Sequence, residues 1–235
     1  MTGHMHTVAV VHSCYPERFG TPRQPGLTPA STAEVRLIPP YDDPEALRGL
    51  EGYSHVWLLY SFHANGPSQW TPTVRPPRLG GNRRLGVFAT RSPFRPNPIG
   101  LSVVTLEAVV TGGDWRGLRI RNHDLVDGTP VLDIKPYLPY SDCLPEASGD
   151  PAFQRPAAVL DVAFDEVLAA APALDDAQWR ALAEETLALD PRPAYRRHSG
   201  DGGSYGVRIG DWNVRFRVDG RVARVLAIES PPTGE

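Results

Sequence analysis

The segment RSPFRPNPIGLS, residues 91–102, places Arg91 and Arg95 among three prolines, directly before an apolar stretch. Proline fixes φ and lacks a backbone N–H, so this segment forms neither a helix nor a regular strand. The result is a rigid bend that carries positive charge at the start of a buried element. The two arginines either contact a ligand or hold the bend together by donating to backbone carbonyls, and both interpretations stay open.

Two further turn-rich segments contain groups that could bind a ligand. In TPRQPGL, residues 21–27, Gln24 is both a donor and an acceptor, and the backbone at Gly26 could approach a ligand closely because glycine has no Cβ. The segment SHVWLLYSFHANG has Phe62 and His63 at the end of a predicted strand. A lone histidine of this kind can also be a core residue that backbone groups satisfy.

The fourth segment, HDLVDGTPVLDIKPYLPY, contains Asp124, Asp127 and Asp133, together with Lys135, the single lysine of the chain. These aspartates can act as ligands or proton acceptors, but aspartates also cap turns, and Asp127 directly precedes a glycine. Each segment by itself has a structural explanation. Four of them within one β-rich part of the chain indicate a binding site.

Standard catalytic motifs are absent from the sequence. It contains no G-x-S-x-G, no Walker A loop, no H-E-x-x-H and no G-x-G-x-x-G after a predicted strand. The seven histidines lack zinc-binding spacing, and Cys14 and Cys143 form no metal or disulfide pattern. We therefore expect no metal, no Rossmann nucleotide site and a reducing, cytoplasmic environment. We also expect no membrane span, since no apolar run approaches the roughly 20 residues required.

Positive charge is unevenly distributed, although the formal net charge is only −3. Residues 75–95 contain six arginines and no acid, and residues 191–224 contain eight arginines against three acids. Such basic faces would attract a polyanion such as RNA. The alternatives are solvated surface positions and a composition that favours arginine throughout, since 23 of the 24 basic residues are arginines.

Residues 6 to about 140 contain short β-branched and aromatic segments, each bounded by proline or glycine turns. This pattern favours an antiparallel sheet, sandwich or barrel. One of the predicted strands is RRLGVFATR. The segment PEALRGLEGY is predicted to form one short helix, capped by Asp42 or Asp43. Residues 141–156 are predicted to form a linker or an exposed excursion.

The remaining residues, 157–235, predict a small α+β domain. One strand, AAVLDVAF, precedes a helix, and three strands, SYGVRIG, WNVRFRV and ARVLAIE, follow it. Asp175 or Asp176 is expected to cap the helix. The positions that recur at helical spacing are Trp179, Leu182, Ala183, Thr186 and Leu187. In WNVRFRV the arginines alternate with apolar residues, so Arg215 and Arg217 should share one face of the strand.

The segments PTVRPPRLGGNRRLGVFATRSPFRPNPIGLS and DLVDGTPVLDIKPYLPY resemble the TrmO family of tRNA methyltransferases. The resemblance includes PRQPGL, RGLEGYSHVWLLYSFH and DPRPAYR, so it covers nearly the whole chain in order. It implies an enzyme that uses S-adenosylmethionine to methylate N6 of threonylcarbamoyladenosine beside the anticodon of tRNA. It also implies a mainly β fold, with an N-terminal antiparallel β-barrel over 1–140 and a small α+β domain over 157–235. A homodimer with cofactor sites near the subunit interface is implied as well.

The resemblance also implies which residues bind the cofactor. They are Gln24, Pro25, Gly26, Phe62, His63, Arg91, Leu101, Arg121, Asn122, His123 and Asp124. Arg91 would face the carboxylate of the methionine part or a nearby phosphate, where its planar fork can make two hydrogen bonds. The family varies directly before Asp124. We therefore expect the three residues that precede it to make main-chain contacts rather than side-chain contacts.

The implied reaction assigns roles to further residues. Methyl transfer from a sulfonium requires alignment rather than a covalent nucleophile, which agrees with the missing catalytic triad. The acceptor nitrogen is a weak nucleophile, so Asp127 or Asp133 is expected to take its proton. Lys135 is expected to pair with the threonyl carboxylate of the substrate, or with the neighbourhood of Asp133 in a structural role.

RNA contacts are expected from both basic regions, with one tyrosine that could stack on a base of the anticodon loop. The predicted residues are Arg75, Arg78, Arg83, Arg84, Arg192, Tyr195, Arg196 and Arg197. Two alternatives stay open. One is a non-catalytic barrel that binds RNA or a small ligand, and the other is a methyltransferase that acts on another carboxylated small molecule.

Overall fold

Six antiparallel strands close into a barrel in the computed structural model, which confirms the barrel expected for the first part of the chain. The structure describes residues 5–64, 70–76, 83–150, 153–156, 158–193, 196 and 203–230. Around the barrel the strand order is β1-β2-β7-β6-β3-β8. These strands are β1 (Ala9–Ser13), β2 (Thr32–Leu37), β3 (His55–Ser61), β6 (Ile99–Val110), β7 (Gly117–Arg121) and β8 (Pro130–Pro136).

Alternation of inward and outward side chains fills the barrel. In β3 the side chains of Val56, Leu58 and Tyr60 point inward and are buried, while those between them face outward. The inward residues of all six strands form one hydrophobic core. Burial alternates along β3 even though its residues 56–60 are all apolar or aromatic.

Two local predictions for the first part were wrong. The segment RRLGVFATR forms only the short strand β5 (Leu85–Gly86), which pairs with β4 (Thr73–Val74) and is followed by a 3₁₀ turn over Val87–Ala89. The segment PEALRGLEGY forms two 3₁₀ turns, Pro44–Leu47 and Leu50–Gly52, instead of one helix. Gly49 separates them because its φ of 90° lies in the left-handed region, which a helix cannot continue through.

The second domain consists of a four-stranded sheet with one helix. Its strands are β9 (Asp161–Phe164), β10 (Ser204–Ile209), β11 (Trp212–Asp219) and β12 (Val222–Glu229), in the order β10-β11-β12-β9. The helix α2 (Ala177–Ala188) begins after Asp176, whose side chain accepts hydrogen bonds from the amides of Gln178 and Trp179. The five residues that were predicted for its buried face are the ones that are buried.

The predicted linker is attached to the barrel domain. A short helix, α1 (Pro139–Asp142), leads into it, and Asp142 accepts a hydrogen bond of 2.9 Å from the indole of Trp57 in the barrel. At the other end, Arg155 donates to the carbonyl oxygen of Gly26 at 2.7 Å. The linker is therefore held against the barrel at two points.

The second domain packs against the segment between β1 and β2. Tyr15 and Ala30 belong to the hydrophobic core of the second domain, although they precede it by more than a hundred residues. Glu185 on α2 accepts a hydrogen bond of 2.9 Å from the amide of Ala30, and the amide of Gly210 donates to the carbonyl of Cys14 at 2.7 Å. The two domains thus share one interface beside the ends of β1 and β2.

Within the part of the chain that the structure describes, no helix is both long and apolar enough to cross a membrane. The same residues contain no group of three or more histidine, cysteine or acidic side chains that could hold a metal ion.

Candidate active site at one end of the barrel

Six strand ends meet at one end of the barrel, which we call the rim. The rim contains the last residues of β1, β3 and β7 and the first residues of β2, β6 and β8. The strand register places Ser13 opposite Ala33, Thr32 opposite Arg121, and Ser61 opposite Ile99. The loops that follow or precede these residues carry most of the predicted cofactor-binding positions.

Hydrogen bonds connect the predicted segments at the rim. Arg91 donates to the side-chain oxygen of Gln24 at 2.6 Å, which joins the proline-rich bend to the TPRQPGL segment. The amide of Gly26 donates to the carbonyl of Asn122 at 3.3 Å. His63 lies close to Gly128, since a Cβ at that glycine would be 3.7 Å from its Nε2 atom. All four turn-rich segments therefore converge.

A small polar network lies inside the barrel wall at the rim. Ser102, which is buried, donates to Asp124 Oδ1 at 2.6 Å and lies 3.3 Å from the hydroxyl of Tyr60. Burial raises the pKa of Asp124 to about 6, and the charge of Arg91 acts in the opposite direction to a smaller extent. Burial also raises the pKa of Tyr60. At neutral pH the carboxylate is thus ionised, but it is more basic than an exposed aspartate.

The side-chain oxygen of Asn122 receives no hydrogen bond from any residue that the structure describes. The backbone of Asn122 has a φ of 58°, which is uncommon for a residue with a side chain, and its buried Oδ1 accepts no hydrogen bond within the described residues. A buried amide oxygen without a partner is costly unless a ligand or water supplies a donor. Asn122 is therefore placed to accept a hydrogen bond from a bound molecule.

The two neighbours of Asn122 use their side chains within the protein, while the predicted main-chain contacts of all three residues with the cofactor stay a prediction. Arg121 donates to the carbonyl of Pro29 at 3.3 Å and lies 3.8 Å from Glu107. His123 is fully buried, and its Nδ1 accepts a hydrogen bond of 3.2 Å from the amide of Leu125. The ring is thus the neutral tautomer with its proton on Nε2, and burial lowers the pKa of His123 to about 4.

Cys14 and His123 are not a nucleophile and its base. The thiol lies 3.8 Å from His123 Nε2, but burial raises the pKa of Cys14 to about 11. A protonated thiol that is almost enclosed cannot attack a substrate. This contact is structural.

Gly26 leaves open space beside the predicted cofactor loop. Its φ is +84°, and a Cβ at this position would have no atom within 4 Å. The adjacent Pro25 restricts the backbone before it. Arg155, which the sequence interpretation did not select, holds the carbonyl of Gly26. It lies in the predicted linker, where no motif pointed to it.

Three predicted site residues, Leu101, Asp133 and Lys135, lie on the outer face of the barrel and not in the polar network of Asp124. Leu101 is 49% exposed and neighbours Leu59, which in turn neighbours Asp133 on β8. Lys135 forms an ion pair of 2.9 Å with Asp133, so the structural role left open for this lysine is the one observed within one chain. These residues form a row across the outer face of β6, β3 and β8.

Asp127 lies at the rim but is used by a turn. Its Oδ1 accepts a hydrogen bond of 2.8 Å from the amide of Ser13, and its own amide donates to the carbonyl of Tyr15. The carboxylate thus fixes the loop before β8 to the end of β1. This geometry is that of a capping aspartate.

Arg95 holds the proline-rich bend together. Its Nη1 donates to the carbonyl of Thr90 at 2.8 Å and, at 3.4 Å, to those of Val87 and Ser92. Of the two interpretations of this bend, Arg95 follows the structural one, while Arg91 reaches Gln24 across the rim.

The predicted RNA-binding residues have different surroundings. Arg75 and Arg84 are exposed, and they directly flank the paired strands β4 and β5. Arg83 lies 3.6 Å from Asp150, and Arg196 is exposed. Arg192 is 7% exposed and forms two hydrogen bonds with the carboxylate of Asp190, so its guanidinium is not available to a phosphate. The remaining predicted residues lie outside the described residues: Arg78, Tyr195 and Arg197.

A groove of about 690 Å³ lies at the opposite end of the barrel. Leu37, Tyr41, Tyr53 and Ile134 line it, together with Asp133. None of the residues predicted to bind the cofactor lines this groove, and the polar network of Asp124 is at the other end. We therefore place the candidate active site at the rim.

Sequence comparison assigns the chain to a known family. The family model described as "tRNA-methyltransferase O N-terminal domain" matches residues 10–143, and the model described as "TrmO C-terminal domain" matches residues 157–231. The chain belongs to the TrmO family. A TrmO relative from Escherichia coli named "tRNA (adenine(37)-N6)-methyltransferase" is 50% identical over 225 residues, which cover 94% of this chain and 96% of the relative.

Other members of the TrmO family agree. A Pseudomonas aeruginosa relative named "Putative S-adenosylmethionine-dependent methyltransferase RcsF" is 45% identical over 220 residues, which cover 92% of this chain and 93% of the relative. A crystal structure of TrmO from Pseudomonas aeruginosa matches with a TM-score of 0.79 at 38% identity, and the match covers 98% of this chain and 99% of that one. The similarity thus extends over both domains.

Proposed function

We propose that this protein transfers a methyl group from S-adenosylmethionine to N6 of threonylcarbamoyladenosine at position 37 of tRNA. The observation that carries the proposal is the partly buried carboxylate of Asp124, which lies among the four converging segments at the rim. The names of the relatives from Escherichia coli and Pseudomonas aeruginosa support the position on tRNA and the cofactor. A tRNA substrate also supports the cytoplasmic location expected from the sequence.

The residues at the rim fit the cofactor. S-adenosylmethionine carries a carboxylate, an ammonium group and an adenine amino group, and it supplies a methyl group on an electrophilic sulfonium. Arg91 is exposed at the rim and can pair with the carboxylate. Asn122 Oδ1 is a buried acceptor to which no described residue donates, and the ammonium or the amino group of the cofactor would supply that donor. Gln24 and the open backbone at Gly26 complete the proposed binding loop.

Asp124 is the best candidate for the residue that takes the N6 proton. As methyl transfer makes the new N–C bond, the nitrogen must lose its proton, and a carboxylate with a pKa near 6 accepts it more readily than an ordinary aspartate does. Ser102 orients the carboxylate through its hydrogen bond to Oδ1. Asp127 and Asp133, the residues expected from the sequence, are instead held by Ser13 and Lys135.

The rest of the site aligns the reactants. Holding two reacting atoms in line can contribute roughly 7–11 kcal/mol in well-oriented systems. The proline-rich bend helps because a loop that is rigid before binding loses less entropy when the ligand arrives. Arg95 supports this rigidity through its three carbonyl contacts.

We further propose that the protein acts as a homodimer. Leu101 is a large apolar residue that is half exposed on the outer face of the barrel, in a row with Leu59 and Asp133. A second copy that covers this row would bury Leu101. It would also enclose Lys135 at the subunit interface, beside the active site of the second copy. In that arrangement Lys135 can pair with the threonyl carboxylate of the substrate, as the family resemblance implies.

The anticodon loop is proposed to contact the loops near the rim. Arg75 and Arg84 provide exposed positive charge next to β4 and β5, and Trp70 and Phe88 are exposed aromatic side chains in the same region. Unpaired bases of a tRNA loop stack on aromatic side chains, while arginines hold the phosphates. Arg196 remains a candidate contact from the second domain, whereas Arg192 does not.

The test is methylation of purified tRNA by the wild-type protein, with the nucleosides identified by mass spectrometry. Transfer to N6 is expected only in tRNA that already carries the threonylcarbamoyl group. Binding of cofactor and tRNA without transfer would favour the non-catalytic barrel. Transfer to a free carboxylated nucleoside or amino acid, with none to tRNA, would favour the small-molecule methyltransferase.

A further inference from the structure

The sheet of the second domain has one face packed on α2 and one face open. On the packed face, Val207, Ile209, Val214, Phe216 and Val225 are fully buried. Successive residues of a strand point to opposite faces. The residues between them therefore stand on the open face, and they include Arg208 on β10, Arg215 and Arg217 on β11, and Arg224 on β12.

The strand register brings these arginines together. Arg217 pairs with Ser204 on one side and with Arg224 on the other, and Arg215 pairs with Gly206. Paired residues are about 5 Å apart across strands, and alternate residues roughly 7 Å apart along a strand. The small residues Ser204 and Gly206 leave the guanidinium groups accessible. We call the patch formed by Arg208, Arg215, Arg217 and Arg224 the arginine face.

The arginine face has a surplus of positive charge. Two of the arginines form ion pairs: Arg215 lies 3.5 Å from Glu229, and Arg217 lies 2.9 Å from Asp219. The side chains of both pairs are about half exposed. Arg208 and Arg224 are exposed and form no ion pair with any described residue. Exposed ion pairs of this kind contribute little and open easily, so all four arginines can turn toward a polyanion.

The chemistry of the face selects its partner. None of the large hydrophobic side chains that are exposed in the described residues lies on β10, β11 or β12, so the face lacks the apolar centre of a protein interface. The aromatic residues of the sheet also turn away. Tyr205 and Phe216 contact each other at 5.7 Å, and Trp212 contacts Trp179 of α2 at 6.4 Å. On this face, the described strands therefore offer unpaired bases no ring on which to stack.

We propose that the arginine face binds the phosphate backbone of a base-paired stem of the tRNA, away from the anticodon loop. This inference rests on the proposed function and adds a second contact to it. Arginine pairs with phosphate through two parallel hydrogen bonds, and double-stranded RNA is recognised mostly through its shape and backbone. The face therefore contributes affinity that is independent of sequence.

The test compares the double variant Arg208→Gln, Arg224→Gln with a control of equal charge change, Arg48→Gln, Arg180→Gln. Both control arginines are exposed; Arg48 directly follows the 3₁₀ turn Pro44–Leu47, and Arg180 lies on α2. Binding of whole tRNA and of a single-stranded anticodon-loop oligonucleotide is measured over a series of salt concentrations. Each phosphate contact contributes a slope of about 0.9 in log K against log salt.

For the arginine-face variant we expect a slope with whole tRNA that is shallower by about 1–2, and an affinity at physiological salt that is about tenfold weaker. The KM for tRNA should rise by a similar factor, while the rate at saturating tRNA stays within about twofold. Binding of the oligonucleotide should not change. The control should behave as the wild type.

Three outcomes would overturn the proposal: a slope equal to that of the control, an equal loss of affinity for the oligonucleotide, or no tRNA binding by the wild type. A different result would overturn the proposed function alone. If the wild type binds tRNA and the arginine-face variant shows the expected shallower slope, but the wild type transfers no methyl group, the arginine face stands and the methylation does not.

Discussion

Asp124 has surroundings that make its protonation state matter for catalysis. Because burial raises its pKa to about 6, it is ionised above that pH and protonated below it. Only the ionised form can accept the N6 proton. The rate of methyl transfer should therefore fall about tenfold per pH unit below pH 6, and Asp124→Asn should lower the rate at neutral pH by about 10²–10⁴-fold. Single-turnover rates with saturating cofactor measure both effects.

The asparagine variant can keep the hydrogen bond from Ser102, because its amide oxygen replaces Oδ1. Binding of S-adenosylmethionine by calorimetry then separates two roles. An affinity that changes less than about threefold supports proton transfer. An affinity that falls as much as the rate would instead make Asp124 a cofactor ligand. Asp127→Asn is the matched control. It should leave the single-turnover rate and its fall at acid pH nearly unchanged.

His123 should make the folded protein sensitive to acid. Its pKa is about 4 when folded and 6.5 in the unfolded chain, so the unfolded chain binds more protons between these values. Stability should therefore fall as the pH drops from 6.5 to 4, by at most roughly 3 kcal/mol. Urea unfolding over this pH range should show a smaller acid loss in His123→Gln than in the wild type.

Asp124 opposes this effect in nearly the same range. Its pKa rises from 3.8 to about 6 on folding, so between these values the folded protein binds more protons than the unfolded chain does. The stability that protonated Asp124 contributes is therefore lost as the pH rises through 6. Asp124→Asn should therefore lose more stability on acidification than the wild type does. Equal acid sensitivity in the wild type and the two variants would contradict both assignments.

Among the elements, β7 depends on a glycine at its first residue. Gly117 has a φ of +146°, and a Cβ there would lie 1.9 Å from the carbonyl oxygen of Val35 on β2. Because the oxygen that the Cβ would meet belongs to the backbone of β2, the strands must separate to admit a side chain. Gly117→Ala should lower the free energy of unfolding by about 3 kcal/mol or more. Gly112→Ala, where a Cβ meets no atom within 4 Å, should change it by less than about 0.5 kcal/mol in thermal or urea unfolding.

Elements that depend on local signals could be predicted from the sequence. Helix α2 combines an aspartate cap with apolar positions at helical spacing, and both signals act within one turn or two. The strand prediction for RRLGVFATR was largely wrong, because its apolar residues suit a strand but only Leu85 and Gly86 pair with a neighbouring strand. A segment with high strand propensity that has no strand to pair with adopts another conformation, here the 3₁₀ turn over Val87–Ala89.

The site was predictable as a set of segments but not as a network. Four motif-rich turns indicated a ligand, and the structure brings them to one rim. Ser102 was not selected, because its role depends on a register that places β6 beside Asp124, 22 residues later. Asp133 and Lys135 sit in the right motif but on the outer face, which only the closed barrel reveals.

At the scale of the whole molecule, the second domain stands beside the rim and is anchored there. Tyr15 lies two residues after β1 and is buried in the core of the second domain, and the amide of Ala30, two residues before β2, donates to Glu185. Both residues bracket the loop that carries Gln24 and Gly26. Packing of the second domain thus fixes the base of the proposed cofactor loop, which couples the position of the arginine face to that of the site.

The proposed dimer makes a prediction about the whole assembly. If a second copy covers the outer row of β6, β3 and β8, a charge at Leu101 would be buried without a partner, so Leu101→Glu should shift the protein toward a monomer by at least about tenfold in the dissociation constant. Leu144→Glu introduces the same charge at another exposed leucine, beyond the barrel, and should leave the dimer intact. Sedimentation equilibrium measures both. A wild-type monomer at all concentrations, or equal dissociation of both variants, would remove the dimer and with it the role of Lys135 in binding the threonyl carboxylate.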